Sequence, residues 1–388
     1  MGKNIVLVGL AFDENLGDPM IYHCTKSMIK EVMREQDCSC ELRKLDLYGR
    51  KKKSNNFVEL QYERVIKKLV NLTAQYDAYT DKNFKSRCEE LIDKETCGIV
   101  FVGGGIIKYC YQVISPYVIY ILELADKKNI PVMLSGVGVE GYDEKNLECM
   151  KLKQAINFDC VKKISTRDDY ELLSKKYINN SNIQISQVYD PALFCKDYLE
   201  ISSAKFFKNG IDEVIGLGIA RGNIFRDYGI QISEEDVIQF WVEMYKVCKD
   251  NRKECVIFCN GLRADYIFAK RVAKKIDKNN WKSILVKRAE NIVELAETIA
   301  GLDRCIVTRL HSSIIAESFG IPFMGIVWNE KQRMFGRSIG CEDRFVDISR
   351  VNPHKLYDEL MLQSNNVKVY QQTTKQELQS FLTQWCLI

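Results

Sequence analysis

The chain has 388 residues, a hydrophobic share of 46% and a net charge of +4 from 56 basic and 52 acidic residues. This length predicts two domains with sizeable cores, and so balanced a charge excludes nucleic acid as the main partner. Its 15 cysteines lack paired metal-ligand spacing and read as reduced, mostly buried thiols of a cytosolic protein; the longest apolar run, 113–124, is short of the ~18 residues of a membrane span.

The N-terminal run 4–12 predicts a strand of parallel type rather than a signal segment. The loop that follows carries Asn15, Gly17 and Asp18. Asp18 suits the N-cap and Pro19 the first position of a helix over 19–35, with Ile21, Thr25, Met28 and Val32 as its buried stripe. Gly17 permits a tight turn. Asn15 and Asp18 then project at the carboxyl edge of the sheet, where open α/β folds bind ligands; simple capping is the plainer role of Asp18. Residues 41–47 form the second strand, and 49–95 are polar, Lys-rich and helical in pattern. Arg50, Lys51, Lys52 and Lys53 read as a solvated loop, with an anionic acceptor or a membrane surface as the second reading.

A strand over 98–102 ends in Gly103, Gly104 and Gly105, which let backbone approach backbone or ligand. A helix over 115–128 leads to a strand over 131–135. Gly136, Gly138 and Gly141 match a dinucleotide-binding pattern in letter, but several strands into the fold and without the acidic residue such sites use, so the match is discounted. A strand over 161–166 ends at Arg167-Asp168, a cation at a strand's carboxyl edge. A helix over 170–176, a short strand over 187–189 and Asp190-Pro191 follow. The first domain closes in the polar stretch 195–210.

The second domain repeats the alternation: strand 214–220 ending at Arg221, helix 235–248, strand 255–259, helix 265–277, strand 283–286, helix 292–300. The densest chemistry follows. After a strand over 305–308, Arg309 and His311 share one face of extended backbone. Ser312 and Ser313 offer N-cap hydroxyls to a helix that stops at Gly320. Ile321-Pro322 opens the strand 323–328, with Lys331 just beyond. A guanidinium, an imidazole and a helix N-terminus at one edge favour an anion, so the expectation is a pocket for a small, doubly anionic donor; a surface pair with nothing bound is the plainer alternative. The tail, 353–370 and 375–385, is helical and amphipathic. The fold class is α/β: two Rossmann-like domains, 1–200 and 201–350, facing a cleft in a glycosyltransferase-B-like manner, with a helical tail over 351–388.

Asn15-x-Gly17-Asp18, Gly103–Gly105, Ser165-x-Arg167-Asp168, Asp190-Pro191 and, above all, Arg309-Leu310-His311 with Ala316, Gly320-x-Pro322 and Lys331 together resemble the polysaccharide pyruvyl transferase family over most of the chain. The resemblance implies a glycosyltransferase-B-like fold. It also implies transfer of a pyruvyl group from phosphoenolpyruvate to a sugar of a polysaccharide or its lipid-linked precursor, forming a cyclic ketal and phosphate. Pro19 and Trp328 depart from the family's usual residues. On this reading Arg309, Arg221 and Lys331 hold the donor's phosphate and carboxylate. His311 delivers a proton to the methylene carbon, and Asp18 acts as base. Asn15, Gly103, Gly104, Gly105 and Arg167 serve substrate binding, with the acceptor on the N-terminal domain and the donor on the C-terminal one. No metal and no cofactor beyond phosphoenolpyruvate as co-substrate is expected, and the protein is placed in the cytoplasm, with a peripheral contact at the inner membrane face as an extension. The alternatives are a glycosyltransferase using a nucleotide-sugar donor and a non-catalytic glycan-binding protein.

Overall fold

The structure is a computed structural model and describes residues 3–48, 50, 76–109, 114–201, 213–364 and 368–387. Lys51, Lys52 and Lys53, the stretch 54–75 and most of the expected domain junction lie outside these residues. The chain divides into two compact units. The first comprises Met1–Asp13, Ile21–Tyr189 and Gln372–Ile388; the second comprises Glu14–Met20 and Asp190–Gln371.

In the first unit the strands are β1 (Asn4–Gly9), β2 (Glu41–Asp46), β3 (Thr96–Val102), β4 (Ile107–Lys108), β5 (Val132–Val137), β6 (Val139–Glu140), β7 (Val161–Thr166) and β8 (Gln184–Gln187). Six of them form a parallel sheet in the order β2-β1-β3-β5-β7-β8, and β4 and β6 pair separately. Every residue of β1 and β5 is buried, as a parallel sheet covered on both faces requires; this is why these strands read as continuous apolar runs. The helices include α1 (Gly17–Glu35), α2 (Tyr76–Leu91), α3 (Ser115–Lys127) and α4 (Leu147–Ile156). Gly136, Gly138 and Gly141 run from β5 into β6 rather than into a helix, so the dinucleotide pattern has no phosphate-binding turn here.

The second unit holds β9 (Val214–Gly218), α5 (Glu234–Asp250), β10 (Glu254–Phe258), α6 (Arg263–Ile276), α7 (Ile292–Ala300), β11 (Arg304–Val307), α8 (Leu310–Phe319), β12 (Phe323–Val327), α9 (Glu330–Ser338), β13 (Phe345–Asp347) and α10 (Pro353–Leu362). Its sheet is parallel in the order β10-β9-β11-β12-β13. Strand order turns back at β9 and β11, and the carboxyl ends of two strands flanking such a switch are where open α/β sheets hold ligands. Arg221 follows β9, and Arg309 follows β11. In the first unit the same switch lies between β1 and β3, which lead to the Asn15 loop and to Gly103–Gly105.

Three expectations are corrected here. The strand predicted over 283–286 is a helical turn, Trp281–Ile284, followed by a single bridge from Leu285 to Ile257. The Asp277 carboxylate accepts the N–H groups of Asn279 and Asn280, which starts that turn, and the Asn280 carbonyl then takes the Ser283 N–H at 2.9 Å, a donor a strand would need. The tail is no unit of its own: α10 belongs to the second unit, whereas α11 (Thr373–Phe381) packs in the first, where Lys163 bonds Ser380 at 3.1 Å. The segment from Glu14 to Met20, assigned by its position to the N-terminal domain, is part of the second unit.

Candidate functional site

The site is built where β11 gives way to α8. The strand ends at Val307, Arg309 takes the N-cap place with extended dihedrals (φ −83°, ψ 130°), and His311 lies in the helix's first turn. His311 therefore does not share an extended face with Arg309, because the chain is already helical at Leu310. Ser312 and Ser313 are not caps either. The Ser312 hydroxyl donates to Asn260 Oδ1 at 3.2 Å. Gly320 closes the helix in the left-handed region (φ 70°), and Ile321 N–H returns to the Ala316 carbonyl, so the stop predicted from glycine is formed.

His311 is 7% exposed. Its Nε2 stands 3.8 Å from Oδ2 of Asp190, itself buried at the start of the Pro191–Phe194 turn. The Nδ1 edge faces the backbone of Gly17. A Cβ built on Gly17 would overlap Nδ1 and Cγ and stand 2.8 Å from Cε1. Glycine is required here by close approach rather than by a positive φ. The loop that supplies Gly17 is held by Asn260, whose side-chain amide donates to Asn15 Oδ1 at 2.8 Å and whose carbonyl accepts from Leu16 N–H at 3.1 Å. Asp18 is the second residue of α1, not its N-cap, and its N–H donates to the Asn15 carbonyl at 3.3 Å.

Arg309 is engaged by protein. Its Nε and Nη2 donate to Asp265 Oδ2 and Oδ1, each at 2.8 Å, and Asp265 is fully buried. Oδ1 of Asp265 also accepts the Arg221 backbone N–H at 3.0 Å. The Trp328 ring lies 5.8 Å from the Arg309 guanidinium carbon. Trp328 is fixed in turn, since its indole N–H and the Gln332 amide both donate to the Thr308 carbonyl, at 2.8 and 3.0 Å. The Arg221 guanidinium pairs with Asp227 at 2.6 Å and Asn223 at 2.8 Å, with a third of the side chain exposed. Lys331 lies in the first turn of α9. Helices α8 and α9 follow adjacent parallel strands, so both begin at one sheet edge, and neither N-cap side chain caps its helix. Among the described residues, Thr308 Oγ1, Ser313 Oγ and Asn329 Oδ1 at this edge are buried without a hydrogen-bond partner.

The remaining candidates lie in the first unit. Gly103 and Gly104 have positive φ (41° and 71°), and a Cβ on Gly103 would overlap Ile21 of α1. The Gly104 carbonyl accepts from Gly138 N–H at 2.6 Å, and Gly105 completes the turn. Arg167, half-buried, follows β7 and donates its backbone N–H to Val137. Arg50 is committed to Asp46, at 2.8 and 3.1 Å, which takes it out of the basic docking loop expected there.

Sequence reading missed Asp265, Asn260 and the pairing of Asp190 with His311. Asp265 had a signal: with Phe268, Ala269 and Val272 it falls on the buried stripe of α6, and a carboxylate on an apolar face demands an internal cation. Among the described residues no group of three or more His, Cys, Asp or Glu side chains could hold a metal ion, and no helix is long and apolar enough to cross a membrane.

Two Rossmann-like α/β sheets with chemistry at their carboxyl edges define a glycosyltransferase-B-like fold. The chain is similar in structure to the UDP-GlcNAc 2-epimerase of Methanocaldococcus jannaschii in complex with UDP-GlcNAc and UDP, with TM-score 0.55 and 12% identity over 99% of this chain and 100% of that one. It is also similar to the UDP-N-acetylglucosamine 2-epimerase of Rickettsia bellii, with TM-score 0.54 and 10% identity over 99% and 95%. At these identities the likeness shows the fold alone. No curated protein matches the chain in sequence. The family model of polysaccharide pyruvyl transferases matches residues 15–330, and the chain belongs to that family.

Proposed function

We propose that the protein transfers the pyruvyl group of phosphoenolpyruvate to two hydroxyls of a sugar, in a polysaccharide or its lipid-linked precursor. The products are a cyclic ketal and phosphate. The observation that carries this reading is the arrangement around α8: an oriented guanidinium and a buried imidazole within one turn of a helix start whose N-cap side chain makes no capping bond. Amides of such a turn and the helix dipole favour an anion. A donor with a phosphate and a carboxylate matches two adjacent helix starts, flanked by Arg309, Arg221 and Lys331.

In the proposed reaction His311 protonates the methylene carbon of the donor, leaving C2 electrophilic, and the first sugar hydroxyl attacks C2. Departure of phosphate and attack by the second hydroxyl close the ketal. Of the two hydroxyl protons released, one balances the proton given to carbon and the other is taken up by a base, for which Asp18 is the candidate. Asp190, facing Nε2, keeps the imidazole oriented. Asn15 contributes through the loop that packs on His311, whereas Gly103, Gly104, Gly105 and Arg167 are assigned to the acceptor side. No cofactor is required beyond the co-substrate.

The test is incubation with phosphoenolpyruvate and candidate saccharides, read as phosphate release and as the mass of the product. Release of a nucleoside diphosphate from a nucleotide sugar, with none from phosphoenolpyruvate, would favour the glycosyltransferase alternative. Binding without turnover of any donor would favour a glycan-binding role.

A further inference from the structure

Arg309 is held by the most completely buried carboxylate of the second unit's site. Asp265 is fully shielded from solvent, and each of its oxygens receives one Arg309 donor. The pair engages the Nε–Nη2 side of the guanidinium. Of the five N–H donors of an arginine, the hydrogen bonds to Asp265 use two, and the Nη1 side of the fork is not consumed by them. The side chain is 13% exposed, and Trp328 stands 5.8 Å from the guanidinium carbon. A guanidinium fixed along one edge with an aromatic ring nearby has little rotational freedom, so the rest of its fork keeps a set direction.

The same carboxylate reaches the other strand of the topological switch. Oδ1 accepts the Arg221 backbone N–H at 3.0 Å, so one side chain from α6 ties the ends of β9 and β11 together. An aspartate that merely offset the charge of Arg309 would not need to hold Arg221 as well.

Building on the donor reading above, we infer that Asp265 is a positioning residue of the donor site: it sets the direction of the Arg309 fork and the backbone from which Arg221 projects. A second consequence concerns charge. Asp265 and Arg309 together are neutral, and so are Arg221 and Asp227, so both arginines supply directed hydrogen bonds, while the helix starts supply the positive field that favours a doubly anionic donor.

The experiment measures phosphoenolpyruvate and acceptor kinetics for the parent, Asp265→Asn, Arg309→Gln and the double variant, with melting curves for each. Asparagine keeps the shape and an acceptor for Arg221 N–H but cannot accept from both Nε and Nη2. The expected result is a rise of about tenfold to a hundredfold in the donor KM of Asp265→Asn, with kcat changed less and the acceptor KM unchanged. The double variant removes both charges and leaves neither buried alone, which keeps the comparison open if one single variant is unstable. Its donor KM should match that of Arg309→Gln, because Asp265 acts through Arg309. A parental donor KM in folded Asp265→Asn, or fully additive losses in the double variant, would overturn the role of Asp265 alone. No phosphoenolpyruvate binding by the parent would overturn the donor reading, and this role with it.

Discussion

The backbone of Gly17 packs against the Nδ1 side of the His311 imidazole, 294 positions apart in the chain (311 − 17), with no room between them for a β-carbon. His311 has Asp190 on the Nε2 side at 3.8 Å. The ring is thus held between the Gly17 backbone and the Asp190 carboxylate, and its orientation depends on both.

Gly17→Ala should therefore displace the His311 ring without unfolding the protein. The added methyl overlaps Nδ1 and Cγ, and a side chain gives way more readily than two backbone segments. The expected outcome is a fall in kcat of about tenfold or more with a melting temperature near the parent's, since a misplaced catalytic group costs rate before stability. Unchanged turnover would show that the ring's position is not needed.

His311→Gln should retain donor binding while losing turnover by about 10²–10⁴-fold, the usual worth of a general acid. Glutamine keeps a hydrogen-bonding group of similar reach but no titratable proton. Pre-steady-state donor binding alongside kcat separates the two effects.

Arg309→Ala is expected to cost stability as well as donor affinity. It leaves Asp265 buried with no cation, and breaking a buried pair on one side costs about 3–5 kcal/mol. Urea unfolding should register that loss, and Asp265→Ala added to it should restore much of it. If Arg309→Ala alone is as stable as the parent, the pair is not the buried contact described here.

The first unit should weaken in acid through Asp93. The Arg43 guanidinium, bonded at 2.6 Å, holds the Asp93 carboxyl down at about 2, and the Glu95 N–H and the Asn4 amide act the same way. The folded value lies below the ordinary carboxylate value of about 3.9. The stabilisation is thus present above about pH 4 and is lost as pH falls toward 2. Asp93→Asn should flatten that part of the stability profile. The effect is modest because the side chain is 35% exposed and solvent screens it.

Much of the architecture was legible because parallel strands buried on both faces read as unbroken apolar runs: β1, β3, β9 and β11 appear in the sequence within a few residues of their observed bounds. Helix ends were legible locally as well, with Gly320 ending α8 and the helical tail expected from residue 353 beginning there as α10. The strand expected over 283–286 is a helical turn because the turn started at Asp277 commits the Ser283 N–H to the Asn280 carbonyl, a contact that composition alone cannot reveal.

By itself the sequence determined the two α/β halves, the family signature and the presence of Arg309, His311 and Lys331 after successive strands, since each is a matter of local period and spacing. Tertiary structure alone decided what those side chains meet. It brought the Asn15–Asp18 loop into the second unit, placed Gly17 and Asp190 on two sides of His311, and gave Arg309 to Asp265. Such partners come from segments 44 to 294 residues apart (309 − 265 and 311 − 17), and no local pattern encodes a contact that exists only once separate strands have been laid side by side.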